Sequence, residues 1–381
     1  MGAAIGQRSP LATLIADIEE LVRCESPSSD LAAVAASADT VARVGTRVLG
    51  VAPERIVRDG HTHLRWRFGT GPARVLLLGH HDTVWPLGSL ATHPFGVTDG
   101  VLRGPGCFDM KAGVVLAIHT VAGLAVRTGV TLLVTGDEEI GSPSSRSLIE
   151  SEAAGCVAAL VLEPAAPGGA LKTERKGVSL YRVQVTGRAA HAGLEPERGI
   201  NATVELAHQV LAVAGLADPD LGTTVTPTQM SAGSAANTVP AGGQLAVDVR
   251  VRDAVEQARV DAAMNRLSPV SRGARLTVSG GPNRPPLTAA LSEWLFIRAQ
   301  AVAADLGLPA LSRMAVGGGS DGNLTAGVGT PTLDGLGAVG GGAHADDEHV
   351  VLAELLGRLA LIQHLTADLL AGGAGGAGRR P

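Results

Sequence analysis

RVLLLGHHD, residues 74–82, is a short apolar run that ends directly in Gly79, His80, His81 and Asp82. TLLV at 131–134 leads in the same way to Gly136, Asp137, Glu138 and Glu139, and AALVL at 158–162 leads straight to Glu163. Runs this short and this apolar predict strands buried on both faces of a mostly parallel α/β sheet. Each delivers a histidine or a carboxylate at its C-terminal end, the edge where open α/β sheets assemble their sites. One such arrangement would mean little, but all three runs share it.

Outward from these strands, residues 10–23 and 29–49 place apolar side chains at three- and four-residue steps and predict helices. Between the first two strands, GPGCFDMK (104–111) precedes VVLAIHTVAGLAVRTG, which reads as a helix, so Asp109 falls in the loop before its N-terminus. From about residue 176 the pattern changes: a strand at 178–186, a helix at 200–214, strands at 223–230 and 244–251, a helix at 254–267 and a strand at 274–279. That β-α-β-β-α-β order is the ferredoxin-like split βαβ. Helical patterns resume at 288–305 and 350–370. The expected architecture is a discontinuous catalytic domain, 1–175 and 283–381, interrupted by a smaller domain at 176–282.

Composition bounds the rest. The 381 residues are 45% hydrophobic and 18% charged, which excludes disorder as the dominant state. With Trp 3, Tyr 1 and Phe 4, the core must be built from Val, Leu, Ala and Ile. A net charge of −5 argues against nucleic-acid or polybasic membrane binding. Cys24, Cys107 and Cys156 are odd in number and far apart, so a reducing compartment is expected and no disulfide framework. The N-terminus lacks the features of a signal peptide and no long charge-free apolar run appears, so the reading is a cytoplasmic protein without a membrane span. The glycine-rich end, 372–381, reads as a frayed tail.

His, Asp and Glu gathered at strand ends form a ligand set for Zn²⁺ or a similar divalent ion. The candidates are His80, Asp109, Glu139, Glu163 and His344. Five exceed one tetrahedral zinc and suit two ions roughly 3.5–4 Å apart, with a carboxylate between them. Asp109 fits the bridge, since its loop lies between other ligands in sequence. Taken singly, each has a plain structural reading: a satisfied histidine, a strand terminus, a solvated Glu138-Glu139 pair, or an Asp109 that caps the following helix. One accident would have to repeat at every strand end.

The segments GHHDTVWP (79–86), GPGCFDMKAG (104–113), GDEEIGS (136–142), LEP (162–164), AHAGLEPERGINA (190–202), GGGSDGN (317–323) and GAHADDEHV (342–350) resemble the dizinc aminoacylase/carboxypeptidase metallopeptidase family. The wording of the motifs is most similar to that of bacterial glutamate carboxypeptidase. The resemblance implies His80 and Glu163 on one zinc, Glu139 and His344 on the other, and Asp109 bridging. Zn²⁺, with Co²⁺ or Mn²⁺ as substitutes, would be the cofactor, two ions per subunit. It implies Asp82 as the orienter of the His80 imidazole and Glu138 as general base for the attacking water. It also implies a homodimer formed through the inserted domain, which acts as a lid, with His191 reaching the oxyanion of the partner's site. Asn237 and Arg250 match substrate-contacting positions, Arg284 matches a hinge-region arginine that grips a substrate carboxylate, and the backbone N–H groups of Gly317, Gly318 and Gly319 could bind that same carboxylate.

The stretch ALKTERKGV (170–178) departs from the glutamate carboxypeptidase pattern, so Lys172, Arg175 or Lys176 would have to hold a substrate side-chain carboxylate. The expected activity is hydrolysis of the amide N-terminal to an amino acid with a free carboxylate. The alternative is deacylation of N-acetyl or N-succinyl amino acids, as by acetylornithine deacetylase or succinyl-diaminopimelate desuccinylase. Two remoter readings differ in class. One is a serine hydrolase using Ser320 in Gly-Gly-Ser-Asp-Gly (318–322), which leaves Asp109, Glu139 and Glu163 unexplained. The other is a non-catalytic relative, which should have lost a ligand or the base.

Overall fold

The computed structural model describes residues 9–372, so the two ends, including most of the expected frayed tail, lie outside the described residues. The chain divides into two compact units. One contains the residues up to Glu174 together with Ala289–Val316 and those from Ser320 onward; the other contains Arg175–Thr288 and Gly317–Gly319.

The first unit is built on a six-stranded sheet in the order Glu54–Arg58, His61–Phe68, Val130–Thr135, Val75–His80, Ala158–Val161, Thr332–Leu333. The last four strands run parallel, and the first two pair antiparallel at one edge. Every position of the strands at 75–80, 130–135 and 158–161 is buried, as their unbroken apolar sequence requires. Alternation along the strands splits the core into two layers. Val75, Leu77, Leu132 and Leu160 pack on one face with the helices Pro10–Val22, Leu31–Leu49, Ala112–Gly123 and Leu352–Ala371. Leu76, Leu78, Leu133, Ala159 and Val161 pack on the other with Leu148, Ile149 and Leu324. Mixed α/β with a mostly parallel sheet is thus the observed class.

Two local readings change. The helix that begins at Ala112 stops at Gly123 rather than running on through 129, because Leu124 turns extended and its N–H closes on Val121. Gly113 in its first turn leaves room for the Leu162 carbonyl, which a Cβ would approach to 2.1 Å. This close contact sets the helix against the end of the third strand. A small sheet that the sequence did not reveal, Gly96–Thr98, Val101–Arg103, His349–Val351 and Gly340–Gly341, sits beside these strand ends. Its strands have two or three residues each, too few to show a period.

The second unit is a four-stranded antiparallel sheet, Thr224–Ala232, Gly242–Val251, Gly177–Thr186, Arg275–Arg284, with the helices Ala202–Ala214 and Ala254–Met264. Numbered within the unit, the strand order is 2-3-1-4, that of the split βαβ. Gly177–Thr186 alternates buried and exposed positions over its second half, and Tyr181, Val183 and Val185 join Leu245, Val247 and Val249 in a separate core. The last strand extends to Arg284, past the expected end at 279. Gly280, Gly281 and Pro282 lie within this strand, beside a register shift between Pro282 and Arg284.

Candidate metal centre

Because the strands at 75–80, 130–135 and 158–161 are parallel, their C-terminal ends open on one edge of the sheet. His80 is the last residue of its strand. Glu138 and Glu139 occupy a single helical turn, Glu138–Ile140, just after the second strand. Leu162 extends the third strand's ladder with a bond to Leu78 O at 2.9 Å, and Glu163 follows it. Asp109 lies in the irregular turn Cys107–Lys111, and His344 in the hairpin between Gly340–Gly341 and His349–Val351. Those two segments leave adjacent strands of the small sheet, since Val101–Arg103 pairs with His349–Val351.

The structure brings these side chains together around Asp109. His80 Nε2 lies 3.3 Å from Asp109 Oδ1 and 3.5 Å from Glu163 Oε1. His344 Nε2 lies 3.4 Å from Asp109 Oδ2 and 3.2 Å from Glu139 Oε2. Each carboxylate oxygen of Asp109 therefore faces a different histidine, and each histidine in turn faces a different glutamate. Ligand atoms of His80, Asp109 and Glu139 lie within 4.8 Å of one another, as do those of His80, Glu138 and Glu163. Both glutamates of the 138–139 pair thus reach the site, from neighbouring positions on one tight turn.

Electrostatics explain why such a cluster wants a cation. His80 Nε2, Asp109 Oδ1 and Glu139 Oε1 are buried without a hydrogen-bond partner, an arrangement that is costly unless something binds them. Burial raises Glu139, with His344 opposing. Asp109 and Glu139 hold the His344 imidazolium up to about 10. His80 is likewise raised, as Asp109, Asp82 and Glu163 outweigh its burial. Paired imidazoles and carboxylates with inward-facing orphan atoms fit divalent ions of the zinc type.

Asp82 stands behind the site. The nearest acceptor for His80 Nδ1–H is the Asp82 backbone carbonyl at 3.0 Å, with the carboxylate Oδ1 at 3.4 Å. The carboxylate also accepts the Ser28 hydroxyl at 2.6 Å and the backbone N–H groups of Glu138 and Glu139 at 3.2 and 3.1 Å. The carboxylate therefore fixes the turn carrying both glutamates, while the backbone carbonyl of the same residue holds the imidazole. Against the cost of burial, His80 and Ser28 hold the Asp82 carboxyl down at about 2. Sequence reasoning gave no signal for Ser28, 54 residues away. His81 is buried, donates to Thr62 O at 3.0 Å, and is pushed down to about 4 by burial, so it stays neutral and apart from the ligands.

The remaining candidates lie in the second unit. Ala190–His191 pairs with Thr238–Val239, and Ala192 N donates to Asn237 O at 2.9 Å, so His191 and Asn237 are brought side by side. The exposed His191 accepts the N–H groups of Gly193 and Leu194 on Nδ1, at 3.1 and 3.2 Å, which leaves Nε2 as the protonated nitrogen. Arg250 is held by Asp248 in a bidentate pair at 2.7 and 2.8 Å. Arg284 is buried, 4% exposed, at the end of its strand.

Of the three basic residues offered for a substrate side chain, two have local duties. The Arg175 guanidinium is buried and donates to Gly318 O and Gly319 O at 3.1 and 3.4 Å, and Lys176 Nζ donates to Gly222 O at 2.5 Å. Lys172 pairs its backbone N–H with Asp334 O in the first unit. A side chain at Gly317 or Gly318 would meet open space, so packing does not demand glycine there. Ser320 is fully buried and its hydroxyl donates to Asp334 Oδ2 at 2.6 Å, which makes it a structural group.

A mostly parallel sheet whose strand ends gather carboxylates and imidazoles around one central aspartate fits a metal-dependent hydrolase. The model of peptidase family M20/M25/M40 matches residues 76–368, and the chain belongs to that family of metallopeptidases and amidohydrolases. It is 33% identical over 317 residues to carboxypeptidase G2 of Pseudomonas sp. (strain RS-16), covering 80% of this chain and 76% of that one. It is 29% identical over 383 residues to succinyl-diaminopimelate desuccinylase of Methylorubrum extorquens (strain PA1), covering 92% and 96%. Its fold resembles that of an M20 family metallo-carboxypeptidase, Sso-CP2 from Sulfolobus solfataricus, with a TM-score of 0.70, 15% identity and coverage of 95% and 99%. Among the described residues no helix is long and apolar enough to cross a membrane.

Proposed function

We propose that this chain hydrolyses the amide bond N-terminal to an amino acid with a free carboxylate, using two divalent ions of the zinc type per chain. His80 and Glu163 would hold one ion, Glu139 and His344 the other, and Asp109 both. The observation that carries this reading is the symmetry about Asp109, whose two oxygens each face one histidine. When bound, such ions supply a nucleophile at neutral pH and stabilise charge developing on a carbonyl oxygen.

The protein's own groups do the rest. Glu138, on the same turn as Glu139, takes a proton from the attacking water and returns it to the leaving amine. Asp82 keeps that turn and the His80 ring in place, so neither reorganises during the reaction. His191 of the partner subunit in a homodimer formed through the second unit would donate from Nε2 to the oxyanion. Its support is the tautomer, since Nδ1 is occupied by two backbone N–H groups. Asn237, beside His191, would contact the substrate, and Arg250 and Arg284 would set the charge it meets. The bare backbone at Gly317–Gly319, anchored by Arg175, would receive the substrate carboxylate.

Carboxypeptidase on acyl-glutamates or peptides is favoured by the likeness to carboxypeptidase G2. The likeness to desuccinylases at comparable identity keeps N-acyl amino acid deacylation as the second reading. The test is amino-acid release from N-benzoyl-glutamate, a folate-type substrate, N-acetylornithine, N-succinyl-diaminopimelate, N-acetyl-leucine and a dipeptide, after chelation and after zinc is restored. Zinc-restored release from the acyl-glutamates alone is the expected result. Release only from acetyl or succinyl substrates would move the function to a deacylase, and release undiminished by chelation would overturn the metal reading.

A further inference from the structure

Asp346, Asp347 and Glu348 are three adjacent acids just after His344, and Asp346 is exposed. Glu348 is not: it is 3% exposed, and both of its oxygens are filled. Oε1 accepts the backbone N–H groups of Phe108 and Asp109 at 2.8 and 2.9 Å. Oε2 accepts the Gly106 N–H at 2.8 Å and the Trp85 indole N–H at 2.6 Å. An ionised carboxylate offers about four lone-pair sites, and here four donors fill them.

The donors come from the two stretches that follow His80 and lead to Asp109. Glu348 itself closes the hairpin that carries His344. Its N–H bonds to Ala345 O at 3.0 Å, Ala345 N to Gly342 O at 2.9 Å, and His344 sits at a φ of 62° with its side chain 49% exposed. One buried carboxylate therefore joins the Asp109 turn, the loop after His80 and the His344 hairpin. The two halves of the centre differ in how they are held. His80 and Glu163 extend from buried strands of the main sheet, whereas Asp109 and His344 sit on loops leaving two- and three-residue strands.

We propose that Glu348 is a positioning residue that builds the Asp109–His344 half of the centre before any ion arrives. The inference rests on the reading of this site as a two-ion centre. Glutamine at 348 has the same shape but turns two acceptor sites into two donors, which would face N–H groups that can no longer be satisfied. The turn bearing Asp109 would lose its register against His344, while His80 and Glu163 would keep theirs.

The test is stepwise Co²⁺ titration of the metal-free full chain, wild type and Glu348→Gln, followed by visible absorption and by equilibrium dialysis. It is paired with amide hydrogen exchange across residues 104–111 of both metal-free proteins. Two ions should bind the wild type. In the variant, the first should bind as in the wild type and the second about 10- to 100-fold more weakly, the usual cost of losing a group that orients metal ligands. The amides of Phe108 and Asp109 should exchange slowly in metal-free wild type and rapidly in the variant.

A folded variant that binds both ions as the wild type does, or weakens both equally, overturns the inference. Should the variant not fold, the wild type alone decides: rapid exchange at Phe108 and Asp109 until metal is added overturns it, and slow exchange supports it. Wild type that binds no Co²⁺ would instead overturn the metal-centre reading itself.

Discussion

The two units organise their polar residues in opposite ways. In the first, His80, Asp109, Glu139 and Glu163 are buried or nearly so, and with His344 they approach one another to 3.2–3.5 Å around a shared centre. In the second, His191 and Asn237 are exposed neighbours, Arg250 is tied to Asp248, and Arg284 is buried at a strand end. A desolvated cluster of ionisable groups is unstable unless it binds something, so it defines a site by itself. Exposed polar groups on a sheet edge carry no such demand. The first unit therefore carries a cluster that demands a bound partner, and the second carries polar groups that do not.

The largest expected effect separates catalysis from metal binding inside the first unit. Glu138→Ala should lower kcat by about 10²–10⁴-fold, the usual worth of a general base, with ion content unchanged. Loss of an ion along with turnover would make Glu138 a ligand instead, a possibility its proximity to His80 and Glu163 brings within reach of the test.

His191→Ala probes the other side of the comparison. Removing an oxyanion donor should cost about 10²–10³-fold in kcat with ion affinity untouched. Mixed with Glu138→Ala subunits it should recover part of the activity, because one heterodimeric site is then complete. No recovery after verified subunit exchange would contradict a role across the dimer.

Smaller effects test the supports. Asp82→Asn should weaken ion binding by about 10- to 100-fold, since an amide cannot accept from Ser28 and two backbone N–H groups as the carboxylate does. Ion binding should also depend on pH with a definite sign. Metal-free His344 keeps its proton up to about 10, and an ion needs the neutral ring, so affinity should climb as pH rises toward that value. Calorimetry in two buffers of different ionisation enthalpy at neutral pH should register proton release, and none would show that the ring is already neutral. Least of all, Ser320→Ala should leave turnover near wild type and cost roughly 1–3 kcal/mol of stability, the value of a buried hydroxyl–carboxylate bond.

The same contrast governs how much could be read from the sequence. Strands buried on both faces announce themselves as apolar runs, and the residue that ends each run inherits its position, so His80, Glu139 and Glu163 were legible. His344 was legible only through its motif, because Gly340–Gly341 and His349–Val351 are too short to show alternation. Glu348 gave no signal, because sequence does not reveal which of three adjacent acids turns inward. Asp82 was expected to orient an imidazole. That its carboxylate also gathers the backbone of Glu138 and Glu139 depends on two loops meeting, which no local pattern encodes. In the second unit, alternation gave the strands, but the last one runs past its expected end at 279, because a bulged strand and a turn use the same residues, here Gly280, Gly281 and Pro282.

The central claim is that Asp109 stands between two ions, each completed by one histidine. Zinc K-edge absorption fine structure on the protein loaded with two equivalents tests it most directly. The account predicts a zinc–zinc scattering distance of roughly 3.5–4 Å, the spacing of two-metal hydrolases, that disappears in His344→Ala while one zinc stays bound. A single bound zinc in the wild type, or two without a zinc–zinc vector in that range, would contradict it.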